Sequence, residues 1–258
     1  MTQEIREKII KRFMKNVYGK TPETSRANQR HDGKEGHWLE KQMDVKPNAS
    51  NTPDLWGYEM KNDTTSKTTF GDWSPNYWIF RDKEYGITRD DFFEIFGKPN
   101  PKKNNRLSWS GTPLPKIHGV NSFGVKIVID VENNISFVYS YFKDSRKNKS
   151  KLVPEKLRKG EHIIARWNAK GKKSISEKLE RKFNQSGWFK CLLDKDGTYD
   201  RIIFGGPMNF DAFMKFFKKG KIIYDGGMYQ GNNRPYSQWR SPNTFWDSLV
   251  ISRHPPSV

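Results

Sequence analysis

Apolar positions near the start of the chain recur with the period of an α-helix. Four of them follow one another at intervals of four residues: Ile5, Ile9, Phe13 and Val17. Because residues four apart lie on one face of a helix, this pattern predicts an amphipathic helix from about Glu4 to Val17. A second short helix is expected to begin near Gly36 and to carry Trp38, Leu39 and Glu40.

Runs of β-branched and aromatic residues predict strands farther along the chain. Residues 123–131 and 135–142 flank an Asn-Asn pair and predict a β-hairpin. Residues 188–193 and 199–204 predict a second hairpin around an Asp-Lys-Asp-Gly turn, and residues 161–167 predict a further strand.

Two more helices carry start or stop signals. A Ser-x-x-Glu capping box at 174–177 predicts a helix that runs to about Asn184. Another helix is expected at 209–219, capped by Asn209 and stopped by Gly220. The segment 97–119 is rich in Pro, Asn and Lys and indicates a long loop, which would either separate two lobes or form a surface insertion.

The charge of the chain favours a polyanionic partner. The 47 Lys and Arg residues outnumber the 29 Asp and Glu residues, which gives a formal net charge of +18 and a sequence pI near 9.8. Residues 143–182 form the densest basic segment, with fifteen Lys and Arg against five Asp and Glu. Nucleic acid is the commonest partner of such a surface. Aromatic residues make up 14% of the chain, with nine Trp, and most of their rings are expected in the core.

Cysteine and hydropathy exclude several classes of protein. The single cysteine, Cys191, excludes an internal disulfide framework and a Cys-based zinc site, and its apolar neighbours indicate a buried structural thiol. No secretory signal and no apolar stretch of about 20 residues is present in the sequence. A cytoplasmic protein without membrane contact is therefore expected.

The candidate chemistry lies in the segment Thr-Pro-Asp-Leu-Trp-Gly-Tyr-Glu-Met-Lys at 52–61. Glu59 and Lys61 are two apart on an expected strand at about 54–62 and therefore point to the same face. A short bend would return the Asp54 carboxylate to that face. Two carboxylates and one ammonium suit a hard divalent cation beside a group that steadies a water or a phosphate. The alternative interpretation of these three residues is a solvated strand edge with a surface salt bridge and no chemical role.

These residues resemble the catalytic motif of the PD-(D/E)xK nucleases. The resemblance is to the MutH-like branch, which includes the MvaI/BcnI family of type II restriction endonucleases, and it lies in Gly-x-x-Leu-Glu at 36–40, Pro-Asp at 53–54 and Gly-Tyr-Glu-Met-Lys at 57–61. It implies that Asp54 and Glu59 bind Mg²⁺, that Lys61 positions or activates the attacking water, and that Glu40 is an accessory acid. The fold it implies is α/β (mixed α+β): a restriction-endonuclease-like core with a central mixed sheet flanked by helices, plus a second basic DNA-binding lobe.

A weaker resemblance near the end of the chain concerns DNA recognition. A Gly-x-Ile-x-x-Asp strand at 220–225 and a basic loop at 231–240 correspond to elements that reach DNA bases in those enzymes. The DNA-contacting candidates there are Asp225, Arg234, Tyr236, Gln238 and Arg240, although a surface loop whose Arg residues touch only phosphates, or nothing, fits the same residues. Lys172 and Lys173, from the basic segment, are expected at phosphates. The chain departs from the family pattern at Gly226-Gly227, where an Arg is expected, and at Trp246, where a basic residue is expected.

These observations together predict a type II restriction endonuclease that cuts a short duplex DNA site with Mg²⁺. The alternatives are a MutH-like strand-nicking repair endonuclease and a non-catalytic basic DNA-binding protein. By the resemblance, a monomer is expected, and a cognate DNA methyltransferase is expected as a genetic partner. In the predicted organisation, residues 1–96 form the N-terminal part of the catalytic core, 97–119 a loop or insertion, and 120–258 the remaining core strands and the DNA-recognition lobe.

Overall fold

The structure is a computed structural model that describes residues 2–25, 33–46, 51–64, 66–183, 185–233 and 235–255. The chain divides into two compact units, each assembled from separate stretches of sequence. The first unit comprises residues 1–68, 179–209 and 242–258, and the second comprises residues 69–178 and 210–241.

Seven α-helices and fourteen strands, some very short, are present in the described ranges. The helices are α1 (Thr2–Asn16), α2 (Lys34–Gln42), α3 (Arg89–Phe96), α4 (Lys149–Leu152), α5 (Ile175–Phe183), α6 (Phe210–Lys218) and α7 (Asn243–Asp247). The strands are β1 (Tyr58–Lys61), β2 (Lys67–Asp72), β3 (Tyr77–Trp78), β4 (Lys98–Asn100), β5 (Arg106–Trp109), β6 (Phe123–Ile129), β7 (Ile135–Asp144), β8 (Glu161–Trp167), β9 (Gly187–Leu193), β10 (Tyr199–Gly205), β11 (Ile223–Gly226), β12 (Met228–Tyr229), β13 (Ser237–Pro242) and β14 (Val250–His254). Short 3-10 turns lie at 79–81, 101–103 and 155–157.

The first unit is built on a four-stranded mixed sheet in the order β1-β9-β10-β14. β1 runs parallel to β9, and the other neighbours are antiparallel. One face of this sheet shares a core with α1 and α2, and the apolar positions of α1 that predicted an amphipathic helix belong to that core. The core residues on the strands include Tyr58, Met60, Phe189 and Cys191. Because side chains alternate along a strand, Glu59, Lys61 and Lys190 belong to the opposite face.

The second unit has an aromatic core and three sheets. Four antiparallel strands follow the order β3-β8-β7-β6, and three-stranded sheets have the orders β11-β13-β2 and β12-β5-β4. Trp78, Trp109, Trp167 and Trp239 are almost completely buried in this unit. The expectation that most of the aromatic rings fill the core is therefore confirmed. Most of the basic segment 143–182 also belongs to this unit.

The long regular elements confirm the predictions from hydrophobic pattern. Both hairpins, β6–β7 and β9–β10, are present and antiparallel. α5 begins where Ser174 Oγ accepts a hydrogen bond from Glu177 N at 3.1 Å, and Asn184, its predicted end, lies outside the described residues. α6 is followed by Gly220 with φ +69°, the left-handed geometry expected of a helix stop.

The prediction of one long loop at 97–119 is wrong in its first half. That half contains β4 and β5, which pair with each other, and β5 also pairs with β12. Asn104 and Asn105, which lie between the two strands, both have positive φ. Asn tolerates this conformation, so part of the polar composition that suggested a long loop belongs to the connection 101–105 between the two strands. The strands themselves are fixed by pairing with a distant segment, which local composition does not report.

The hydropathy of the helices and the position of Cys191 both bear on expectations from the sequence. No helix in the described ranges has the length and apolar character needed to cross a membrane. Cys191 is fully buried in the core of the first unit, and burial raises the pKa of its thiol. The interpretation of this cysteine as a structural residue is thus confirmed.

Candidate active site

A two-residue turn returns Asp54 to the strand that follows it. Leu55 and Tyr58 exchange backbone hydrogen bonds of 2.9 and 2.8 Å, and the residues between them, Trp56 and Gly57, have φ of +48° and +84°. Positive φ at both central residues is the geometry of a tight hairpin turn whose twist matches that of the flanking strands. The turn brings Asp54 Oδ2 to 2.9 Å from Met60 N, which donates a hydrogen bond to it. The predicted bend therefore exists.

Glu59 and Lys61 form a buried ion pair on the face of β1 that is turned away from the helical core. The side chains are only 4% and 5% exposed, and Lys61 Nζ donates to Glu59 Oε1 at 2.9 Å. The Lys61 ammonium also lies 4.9 Å from the ring centre of Phe183 and 5.9 Å from that of Trp246. Burial of this degree excludes the alternative of a solvated surface salt bridge.

Two further lysines and an aspartate, none of them predicted from the sequence, form ion pairs at or next to these residues. Lys182, at the end of α5, lies 3.0 Å from Glu59 Oε1. Lys190 on β9 is 2% exposed, is aligned with Lys61 in the β1–β9 register, and pairs with Asp63 at 2.9 Å. A signal for Lys190 was present, because a lone lysine inside the apolar run of β9 needs a buried partner. Lys182 had no comparable signal within its basic helix.

Burial and like charge shift the pKa values of this cluster. Burial first, and the nearby Glu59 charge second, raise the pKa of Asp54 to about 7. The Met60 amide and the Lys61 and Lys182 charges oppose that rise without cancelling it. Burial lowers the pKa of the Lys61 ammonium, and Glu59 counteracts this effect. A crowded pair of carboxylates of this kind is a place where a cation would be favoured.

The oxygens present fit a magnesium ion. Glu59 Oε2 is buried and accepts no hydrogen bond from the described part of the chain. Mg²⁺ is commonly held by one or two carboxylates and keeps several of its waters, so Asp54 and Glu59 supply a suitable set of protein oxygens. Among the described residues, no group of three His, Cys, Asp or Glu side chains is arranged to hold a metal ion.

Glu40 is not brought into a cluster of three carboxylates with Asp54 and Glu59. Its Oε2 lies 3.2 Å from Nδ1 of His37 on the same helix. The start of α2 nevertheless lies close to the end of β1, because a Cβ atom on Gly36 would come within 2.3 Å of Asn62 Nδ2. The glycine of the Gly-x-x-Leu-Glu motif thus has a packing role.

The DNA-contacting candidates near the end of the chain lie in the second unit, mostly on paired strands. Asp225 on β11 and Arg240 on β13 form an ion pair of 3.1 Å, and Gln238 lies opposite Asp225. The expected basic loop is therefore wrong for Gln238 and Arg240, which are held in a strand by pairing with β11. Tyr236 is 44% exposed, and Arg234 lies outside the described residues.

The remaining candidates and the two departures from the family pattern also have structural positions. Lys172 and Lys173 are exposed in the turn before α5. Gly226 is close to the Tyr224 ring, since a Cβ atom there would lie 2.8 Å from Tyr224 Cε1. Trp246, which replaces an expected basic residue, is 1% exposed in the first unit and packs edge-on against Trp188 at 5.1 Å.

Comparison with known proteins gives consistent results over nearly the whole chain. Residues 17–254 match the LlaMI restriction endonuclease family. The chain is 45% identical over 266 aligned positions to the type II restriction enzyme ScrFI of Lactococcus lactis subsp. cremoris, covering 96% of this chain and 98% of ScrFI. The fold is similar to that of restriction endonuclease MvaI in complex with cognate DNA, with a TM-score of 0.59, 12% identity and 96% of each chain covered. The mixed sheet flanked by helices thus has a restriction endonuclease as its structural neighbour, and the chain belongs to the LlaMI restriction endonuclease family.

Proposed function

We propose that this restriction endonuclease is a type II enzyme that hydrolyses phosphodiester bonds at a short, specific duplex DNA site with Mg²⁺. The observation that carries the proposal is the buried cluster of Asp54, Glu59 and Lys61, in which one oxygen of Glu59 is buried without a hydrogen-bond partner in the described ranges. A buried carboxylate oxygen without a donor is costly unless a cation or water meets it. Asp54 and Glu59 would hold the ion.

The metal would supply two effects that the side chains cannot supply alone: when bound, Mg²⁺ lowers the pKa of a water and neutralises charge on the phosphate. The protein contributes the fixed positions. The Asp54 carboxylate is oriented by the Met60 amide, and the Glu59 carboxylate by two ammonium groups.

Lys61 would position the nucleophile or stabilise the transition state. Its ammonium is held by Glu59 and by the neighbouring rings of Phe183 and Trp246, so it loses little freedom when it meets a substrate. A pre-oriented donor of this kind can hydrogen-bond the attacking water or a phosphate oxygen without reorganisation.

Recognition of the DNA site is assigned to the second unit. Arg240 can bind guanine with two hydrogen bonds, Gln238 can pair with adenine, and Asp225 can accept from cytosine while orienting Arg240. Tyr236 and Arg234 precede this strand and are proposed as neighbouring contacts. The exposed Lys172 and Lys173 are proposed to bind phosphates, which give affinity without sequence information.

The function is tested by digesting unmethylated phage DNA with the purified protein, with and without Mg²⁺, beside Glu59→Ala and Glu35→Ala. Glu35 lies in the first turn of α2, outside the cluster. Glu35→Ala is therefore the matched control, because it also removes one carboxylate. We expect discrete Mg²⁺-dependent bands from the wild type and Glu35→Ala, and a loss of at least a thousandfold in rate for Glu59→Ala.

Other outcomes would favour the other functions considered. Intact DNA in every lane, with binding retained in a gel shift, would contradict the proposal and favour a non-catalytic binding protein. Single-strand nicks alone would favour a MutH-like nickase.

Two further properties belong to the same proposal. A monomer with one catalytic site would cut the two strands in sequence, so nicked DNA should accumulate transiently in a digest of supercoiled plasmid. A cognate methyltransferase would protect the host, and methylated copies of the site should resist cleavage. Sedimentation of the protein with and without a site-containing duplex tests the monomer.

A further inference from the structure

Two ammonium groups share a single oxygen of Glu59. Lys61 Nζ and Lys182 Nζ lie 2.9 and 3.0 Å from Glu59 Oε1. Like charges so close together repel unless nearby negative charge offsets them. Asp54 belongs to the same electrostatic cluster, since the Glu59, Lys61 and Lys182 charges all act on it. The two carboxylates and the two ammonium groups therefore balance one another in formal charge.

The two lysines are held differently. The Lys61 side chain is 5% exposed and lies against the Phe183 and Trp246 rings, so it is fixed in place. The Lys182 side chain is 19% exposed and belongs to the last turn of α5. A lysine has four rotatable side-chain bonds, and a partly exposed ammonium can leave its partner for water or another anion at little cost. Lys182 is therefore the member of the pair that can move.

A divalent cation would upset this balance. Bound by Asp54 and Glu59, it would add two positive charges beside two ammonium groups, and the mobile ammonium would be repelled. We propose that Lys182 is a positioning residue whose ammonium is the counter-ion of Glu59 when no divalent cation is bound. A divalent cation would displace this ammonium from Glu59, and the ammonium would then pair with a DNA phosphate. The inference rests on the proposed Mg²⁺-dependent nuclease function.

Lys182 would in this way couple metal binding to DNA binding. Without DNA, the metal competes with an ammonium already placed at Glu59, so its affinity is reduced. With DNA, the displaced ammonium gains a phosphate partner, and the competition is relieved. Because coupling between two ligands is reciprocal, the metal should strengthen DNA binding by the same factor. The site would thus fill with metal mainly when substrate is present.

The test measures Ca²⁺ affinity calorimetrically at pH 8.5 without DNA, so that the readout is independent of cleavage. Ca²⁺ is used because it binds carboxylate oxygens in flexible geometry. Lys182→Met and Lys182→Gln should bind Ca²⁺ about tenfold more tightly than the wild type, from the removal of one charge roughly 5 Å from a dication. Lys182→Arg keeps the charge and should remain within about threefold of the wild type. Arg181→Met removes the same charge from the neighbouring position of α5, and should leave the affinity within about twofold.

The second readout is the effect of a cognate duplex on Ca²⁺ affinity. We expect Lys182→Met to reduce this coupling at least threefold, whereas a residue that merely supports the fold would lower both affinities together. Unchanged or weaker Ca²⁺ binding in folded Lys182→Met and Lys182→Gln would overturn the inference while leaving the nuclease proposal intact. A wild type that neither binds Ca²⁺ nor cleaves DNA would overturn both.

Discussion

At the scale of single residues, the site is defined by buried charges on Asp54, Glu59 and Lys61. Interactions among these groups offset most, but not all, of the cost of removing them from water. Asp54 is partly buried beside Glu59, and this raises its pKa to about 7 despite a hydrogen bond from Met60 N. Burial lowers the pKa of the Lys61 ammonium in the same environment, and the Glu59 charge opposes that effect. These shifts oppose folding in the metal-free protein, because the ionised Asp54 is less stable in the folded than in the unfolded chain. The ionised Asp54 thus lowers the free energy of unfolding at the site where a cation is proposed to bind.

The first prediction follows from the sign of the Asp54 shift. A carboxyl group with a raised folded-state pKa favours folding when protonated, so its contribution is present below about pH 4 and is lost as pH rises to about 7. Asp54→Asn keeps an acceptor for Met60 N but cannot ionise. In EDTA at pH 8, the free energy of unfolding of Asp54→Asn should be about 2 kcal/mol larger than that of the wild type. This value is smaller than the full pKa shift implies, because Asp54 is partly exposed to solvent.

The measurement is urea denaturation of both proteins at pH 4.5 and pH 8. The difference should shrink to near zero at the lower pH, and Mg²⁺ should stabilise only the wild type. An Asp54→Asn protein that is less stable than the wild type at pH 8 would contradict the assigned environment.

At the scale of elements, a short turn and one strand set the geometry of the site. The Leu55–Tyr58 turn requires positive φ at Trp56 and Gly57, and it places Asp54 against β1. Pairing of β1 with β9 adds Lys190 to the same face, and α5 adds Lys182. The Asp54 and Glu59 carboxylates therefore lie on either side of one short turn. Lys182 and Lys190 come from elements more than a hundred residues away in the sequence.

The second prediction concerns Gly57. Its φ of +84° disfavours any side chain, and a Cβ atom there would lie 2.9 Å from Ser186 Oγ. Gly57→Ala should therefore destabilise the fold by about 2 kcal/mol and shift Asp54, reducing the cleavage rate more than tenfold.

Gly19→Ala is the matched control. Gly19 also has a positive φ, +72°, but nothing lies within 4 Å of the added Cβ position. A similar backbone penalty of about 1 kcal/mol is expected there, with cleavage within about twofold of the wild type. Thermal unfolding and a plasmid digest measure the two effects, and equal losses of activity in both variants would show that the turn does not position Asp54.

At the scale of the whole molecule, the net charge of +18 and the nearly full-length similarity to ScrFI set the physical expectations for substrate binding. Phosphate contacts release counter-ions from DNA, so affinity should fall steeply with salt concentration. The segment 143–182 has the highest density of Lys and Arg in the chain and is proposed to supply such contacts. We propose that most of this charge attracts and positions DNA, and that a few residues on and near β13 discriminate between sequences.

The third prediction is the salt dependence of binding. Lys172→Ala with Lys173→Ala should reduce the slope of log Kd against log salt by roughly 0.9 for each phosphate contact removed. The loss of affinity should be similar for specific and nonspecific duplexes, because phosphates carry no sequence information. Lys195→Ala, in a turn between Asp194 and Asp196, removes charge from a locally acidic position and should leave the slope unchanged. A loss confined to the specific duplex would assign Lys172 or Lys173 to base contacts instead.

The sequence by itself determined the features that depend on local periodicity and on residues close together in the chain. The amphipathic pattern predicted α1, the two hairpins were marked by their turns, and the spacing of Asp54, Glu59 and Lys61 placed three charged groups on one face. These predictions succeeded because alternation along a strand and a tight turn are properties of the backbone over a few residues.

Only the tertiary structure decided which distant segments meet. It placed Lys182 and Lys190 beside β1, moved Gln238 and Arg240 from an expected loop onto β13, and made strands within a segment predicted to be a loop. It also buried Trp246 where a basic residue had been expected. Strand pairing and the burial of a charge depend on partners far away in sequence, and the free energy of those contacts outweighs local preference.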